Sequence, residues 1–129
     1  MEEEKPENIL AKKVLDEAFR VHTELGPGLL ESVYEQVLAH RLQKAGCRVD
    51  VQKPVSIDVE GLRIPDAFRA DLVIDDLLII ELKSVDQVKP VFAKQLLTYL
   101  RLSGIKLGLL INFGTIRLKD GIERISNNL

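Results

Sequence analysis

At 129 residues, with 46% apolar and 29% charged residues and a single cysteine, the chain has the size and balance of one globular domain and excludes disordered, fibrous and disulfide-held classes. A formal net charge of -2 argues against tight non-specific binding to nucleic acid, which needs many Lys and Arg contacts to phosphate, while leaving room for a local basic rim. No apolar run reaches the roughly 18 residues of a spanning helix, and Met1-Glu2-Glu3-Glu4-Lys5 is acidic where a signal peptide is basic, so a cytoplasmic protein with no membrane contact is expected, residues 1–7 forming a flexible acidic tail.

In chain order, Ala11, Leu15, Ala18, His22 and Leu25 recur at steps of four, three, four and three, which predicts one helix from Asn8 to Leu25. Gly26-Pro27-Gly28 breaks it, and a second helical pattern runs from about Leu29 to Ala45, stopped by Gly46. Val49, Val51, Val55, Ile57 and Val59 alternate with polar residues as a half-buried strand does, and Glu60-Gly61 turns the chain into a short partner at Leu62 to Ile64. Strands are then predicted at Ala70 to Ile74 and at Leu77 to Lys83, the second apolar on both faces up to Glu81, as a central strand covered by helices is. A helix from Pro90 to about Ser103, a strand at Leu107 to Phe113 and a hairpin of Ile116 to Lys119 with Ile122 to Ile125 complete the order α-α-β-β-β-β-α-β-β-β. A mixed sheet flanked by helices is the layer arrangement that buries these faces.

Glu81 and Lys83 lie two apart on a strand and therefore point to one face, at the end of an apolar run where charge is costly unless partners or a metal compensate. Asp71 is the candidate partner. If the connection from Asp75 to Leu77 is effectively three residues long, Asp71 stands opposite Glu81; a two-residue loop would put the two carboxylates on opposite faces. Converging carboxylates make a hard oxygen site suited to Mg²⁺ or Mn²⁺, and Lys83 beside them can hold the attacking water and offset transition-state charge. Phosphodiester hydrolysis is the reaction this set suits best.

Ala70-Asp71-Leu72-Val73-Ile74 followed by Ile80-Glu81-Leu82-Lys83 resembles the core of the PD-(D/E)XK nuclease superfamily. Gly28-Leu29-Leu30-Glu31-Ser32-Val33-Tyr34 matches the GxxExxY motif of one small-protein branch, and Gln95-Leu96-Leu97-Thr98-Tyr99 resembles the QxxxY helix motif of exonuclease-like members. The resemblance covers nearly the whole chain and implies a restriction-endonuclease-like α-β-β-β-α-β core. It further implies that Asp71 and Glu81 bind the metal, that the Leu82 carbonyl completes its shell, that Lys83 is catalytic, and that the substrate is nucleic acid, DNA ahead of RNA. A first-helix glutamate reaches the metal in related nucleases; Glu35 fits that spacing best, with Glu31 the second choice. The literal Pro65-Asp66 departs from this pattern, and its Pro-marked position reads as a solvated turn.

The remaining candidates carry ordinary readings beside functional ones. Gln95 and Tyr99, four apart on a helix, face one way and can hold a substrate phosphate or orient Lys83; a core tyrosine with a capping amide is the plain alternative. His22 on an apolar helix face reads first as a hydrogen-bonded core residue and second as support for the site, and Cys47 as a packing residue without a histidine, His22 or His40, placed to activate it. Lys89, Lys94, Arg101 and Lys106 can supply phosphate contacts, though solvated basic faces are common. The function expected is a metal-dependent nuclease, acting as a homodimer or with a partner subunit that supplies recognition. A non-catalytic nucleic-acid or protein-binding module that keeps the fold is the alternative.

Overall fold

The computed structural model describes residues 4–129. Helices α1 (Pro6–Leu25) and α2 (Glu31–Lys44) precede strands β1 (Val49–Val59), β2 (Leu62–Ile74) and β3 (Leu78–Lys83); α3 (Pro90–Ser103) leads to β4 (Leu107–Asn112), a 3-10 turn at Leu118–Gly121 and β5 (Ile122–Ser126). The five strands lie side by side in chain order. Only β3 and β4 are parallel, because α3 carries the chain back across the sheet between them. The mixed sheet flanked by helices is the class the periodicity predicts.

Each face has its own core. Val14, Ala18 and Val21 of α1 and Tyr34, Leu38 and Leu42 of α2 pack with Leu72, Ile74, Leu78, Ile80 and Leu82. On the other face Leu96 and Leu100 of α3 cover Val73, Ile79, Leu110 and Ile125. β3 sits between β2 and β4 and contributes to both cores, which is why its sequence is apolar on both sides.

The structure corrects several expected boundaries. α1 begins at Pro6, a proline at the first helical position where its missing N–H costs nothing, so residues 6 and 7 of the expected tail are helical; residues 1–3 lie outside the described residues. α2 begins at Glu31 because Leu30 is extended and the Leu29 N–H is bonded to the Tyr34 hydroxyl. The two expected strands at 62–64 and 70–74 are one strand: three residues, Pro65, Asp66 and Ala67, bulge out against Ser56 and the ladder then resumes. Asp66 therefore stands exposed in a strand bulge, with a left-handed φ of 54°, and belongs to no turn between elements. The expected C-terminal hairpin does not form. Ile122 to Ser126 pairs with the free edge of β4 instead, and the chain reaches it through the 3-10 turn, which buries Leu118.

Beyond the sheet, the loops after β3 and β4 are clasped together by Asn112, the one buried polar side chain among the described residues. Its Oδ1 accepts hydrogen bonds from the amides of Val85 (3.0 Å) and Gly114 (2.9 Å), and its Nδ2 donates to the Val85 carbonyl (2.9 Å). A Cβ on Gly114 would lie 2.4 Å from the Val85 oxygen, so only glycine allows this approach. Asn112 pairs with Lys83 across β3 and β4, so the clasp fixes the segment that leaves the site. Because Asn112→Leu leaves three backbone groups without partners, it should lower the unfolding free energy by about 3 kcal/mol in urea titration; an unchanged midpoint would mean that water replaces the amide.

Candidate functional site

The site forms where β2 and β3 part. The turn between them runs through Asp75 and Asp76, both with left-handed φ (52° and 54°), and the Leu77 N–H bonds back to Ile74. Leu77 is then an extra residue: Ile74 pairs with Leu78, Val73 with Ile79 and Leu72 with Ile80. This is the three-residue connection, and it brings Asp71 level with Glu81.

The ladder stops at Leu72 and Ile80, and Asp71 takes the place of the next rung. Its Oδ2 accepts the Leu82 N–H at 2.8 Å, while Oδ1 accepts from Gln52 Nε2 of β1 at 3.1 Å. Its carboxylate is thus turned into the gap between strands, a departure from the expected regular strand residue on the Glu81 face. Lys83 donates no backbone group to this gap, since its carbonyl accepts from Phe113 N beyond β4 (2.8 Å). The backbone groups of Leu82 alternate with those of Lys83, so its carbonyl opens toward Asp71 as its N–H does.

Glu81 and Lys83 share the face covered by α3. Glu81 is pushed up to about 9, first by burial, then by the negative charge of Asp71 and the carboxyl of Asp71 set against it; the backbone N–H of Asp71 and, after it, Lys83 offset this only partly. Its Oε1 is buried and has no hydrogen-bond partner. The Lys83 ammonium lies 4.1 Å over the centre of the Phe92 ring. An orphaned carboxylate oxygen, a neighbouring carboxylate and an outward carbonyl fit a divalent cation. Among the described residues no three carboxylate, imidazole or thiol side chains converge closely enough to enclose an ion unaided. A cation here would draw further ligands from water and substrate, as Mg²⁺ commonly does.

The helices bring the other candidates. Glu35 of α2 is joined to the site through Gln52, whose Nε2 donates to Glu35 Oε1 at 2.6 Å; burial raises the Glu35 carboxyl, the Gln52 bond lowers it and the Asp71 charge raises it. Glu31, at the first position of α2, is also raised by burial, with Lys83 pulling it down and Asp71 and Glu35 pushing it up. On α3, Gln95 Nε2 donates to the Tyr99 hydroxyl at 2.5 Å, and Tyr99 stacks on Phe68 at 4.0 Å. The Tyr99 hydroxyl is raised first by burial and then by the charge of Glu81, while its bond with Gln95 lowers it. Phe92 is the α3 residue whose ring lies against the Lys83 ammonium.

Other singled-out residues lie elsewhere. His22 bonds through Nε2 to the Thr115 carbonyl at 2.8 Å and braces the loop after β4. Tyr34 is buried; its hydroxyl donates to the Gly26 carbonyl (2.5 Å) and accepts from Leu29, and its ring stacks on Phe113 at 4.5 Å, so the tyrosine of GxxExxY closes the α1–α2 turn. Cys47 packs in the first core, while His40 is exposed. Lys89, Lys94, Arg101 and Lys106 are exposed, and none is ion-paired among the described residues. The sequence reading missed Gln52 and Phe92. Gln52 sits at an ordinary polar position of the β1 alternation and gave no signal, whereas Phe92 shares the helical stripe of Gln95 and Tyr99.

A family model described as the PD-(D/E)XK nuclease superfamily matches residues 8–125. No curated protein matches the chain. Among solved structures, that of a protein named SSO0001 superposes with a TM-score of 0.48 at 23% identity, over 90% of this chain and 67% of that one. No helix among the described residues is long and apolar enough to cross a membrane.

The raised Glu81 makes a prediction about the metal-free protein. A carboxyl whose folded value, about 9, exceeds its usual 4.5 gives stability that is full below 4.5 and lost as pH rises toward 9. Glu81→Gln removes this loss. The Tm of the variant should therefore exceed that of the wild type by a margin that widens from pH 5 to pH 9 in chelator; parallel curves would mean that Glu81 ionises freely.

Proposed function

Since the chain belongs to the PD-(D/E)XK nuclease superfamily, we propose that it is a divalent-metal-dependent nuclease, with Asp71, Glu81 and the Leu82 carbonyl as metal ligands and Lys83 as the catalytic base or charge-stabilising group. The observation that carries this reading is the buried, unpartnered Glu81 Oε1 next to Asp71. Isolated in a fold, such a pair only destabilises; with Mg²⁺ or Mn²⁺ it becomes a binding site. A bound cation supplies a Lewis acid for the phosphoryl oxygens and lowers the pKa of a water.

The protein's own groups do the rest. Asp71 is oriented by the Leu82 N–H and the Gln52 amide, which leave it lone pairs for a cation. Lys83, at rest over Phe92, is long enough to orient the attacking water and to offset negative charge building on the phosphorus centre. Gln95 and Tyr99 would bind a non-bridging phosphate oxygen, and Glu35 would act as an additional acid at the Asp71 edge. We take DNA as the first substrate and RNA as the second. The GxxExxY assignment is part of this reading, supported by the way Gly28, Leu29 and Tyr34 work as one turn beside Glu31.

One observation favours a partner subunit or second copy. A cavity of about 460 Å³ on the α3 side of β4 and β5 is lined by Asp86, Asp120 and Glu123 and by no cation. These charges repel a polyanion, so a positively charged partner surface would help to hold nucleic acid near the site. The same surface suits the alternative, a binding module without turnover.

The two readings part on two measurements. Mn²⁺ at 100 times its Kd should stabilise the wild type by about 2.7 kcal/mol and leave Asp71→Asn unchanged. With Mg²⁺ or Mn²⁺ the wild type should cleave linear or branched DNA and Lys83→Ala should lose at least a hundredfold in rate with its fold intact. Metal binding without cleavage selects the binding module, and cleavage that survives Lys83→Ala identifies a contaminant.

A further inference from the structure

β1 carries an anomaly directly beside the site. Gln52 has a φ of 51°, in the left-handed region, although its neighbours Val51 and Lys53 keep the register of a regular antiparallel pair with Leu72 and Ala70. Gln52 thus stands opposite Asp71. A non-glycine residue in that conformation inside a strand is strained and persists only where its surroundings hold it. No turn or bulge calls for it here, since the β1–β2 register shift lies further on, between Val55 and Ile57.

Across the strand pair, the alternation of β2 also slips. Ala70 packs in the core under α3 and Leu72 in the core under α1 and α2, although residues two apart normally share a face. Asp71 is the residue between them, and it is turned toward neither core. The exposed Gln52 side chain spans from β1 to both neighbouring elements at this point. Its Nε2 donates both its protons to carboxylates, to Glu35 Oε1 at 2.6 Å and to Asp71 Oδ1 at 3.1 Å.

We propose that Gln52 is a positioning residue: its amide, aimed by the left-handed backbone of β1, ties Glu35 of α2 to Asp71 of β2 and so holds the Asp71 carboxylate in place beside Glu81. Two carboxylates from different elements repel each other, and a neutral double donor between them cancels that repulsion without consuming the charge a cation needs. Lysine or arginine in the same place would compete with the cation. An alanine would let Glu35 swing to solvent. The inference rests on reading Asp71 and Glu81 as the metal-binding pair.

The experiment measures Mn²⁺ affinity by calorimetry together with Tm in chelator, for wild type, Gln52→Ala, Gln52→Gly and Glu35→Gln. Loss of an outer partner of a metal ligand typically weakens binding 10–100-fold, so Gln52→Ala and Gln52→Gly should each bind Mn²⁺ at least tenfold more weakly. Glu35→Gln should show the same loss, and the double variant Gln52→Ala with Glu35→Gln little more. Glycine is at ease at positive φ, so Gln52→Gly should melt above Gln52→Ala while binding metal no better; a purely structural role would make affinity follow Tm. Wild-type affinity in the Gln52 variants overturns the inference and leaves the metal site standing. Failure of the wild type itself to bind Mn²⁺ overturns both.

Discussion

The site depends on one extra residue in a turn. With Leu77 counted into the β2–β3 connection, Ile74 pairs with Leu78 and the register brings Asp71 level with Glu81. Without it, Ile74 would pair with Leu77 and Asp71 would stand against Ile80, with Glu81 facing away. Leu77 is held in place by apolar contact with the first core, and Asp75 anchors the turn from outside: its Oδ1 accepts the Arg48 N–H at 2.7 Å and its own N–H donates to the Arg48 carbonyl. A packing preference and two hydrogen bonds thus decide whether two carboxylates meet.

Once they meet, electrostatics opposes them. Glu81 retains its proton far above the usual range because burial and Asp71 both disfavour its charge. The Asp71 carboxylate accepts hydrogen bonds from neutral donors, the Leu82 amide and the Gln52 side chain, and the Lys83 ammonium rests on an aromatic ring. No cation of the chain is ion-paired to either carboxylate among the described residues. The fold thus holds two carboxyl groups together with no ion-paired cation, one of them keeping its proton, and a divalent ion that displaced this proton would supply the missing positive charge.

Around that pair three parts of the chain act as supports. The Gly28-to-Tyr34 segment closes the α1–α2 turn, and its Leu29 carbonyl accepts the Ser84 hydroxyl at 2.6 Å, linking it to the residue after Lys83. Asn112 clasps the same exit from the other side. α3 presents Phe92, Gln95 and Tyr99 as one stripe over β2 and β3, where Tyr99 meets Phe68 and Phe92 meets Lys83. A rigid frame with a charged, unsatisfied centre is the arrangement expected of a site that must hold an ion in fixed geometry.

The amino-acid sequence alone determined the helices, the strands and the residue types brought to the site: the helical steps of α1, the alternation of β1, the doubly apolar β3 and the Asp71, Glu81, Lys83 set are all local patterns of residue type. Tertiary structure alone decided the register through Leu77, the merging of two short strands across the Pro65–Ala67 bulge and the pairing of β5 with β4 in place of a hairpin. It also selected Gln52 and Phe92, whose partners are distant in the chain. The physical reason is the same in each case: periodicity is a property of neighbours along the backbone, whereas pairing and contact compare free energies between segments that meet only when the sheet is assembled.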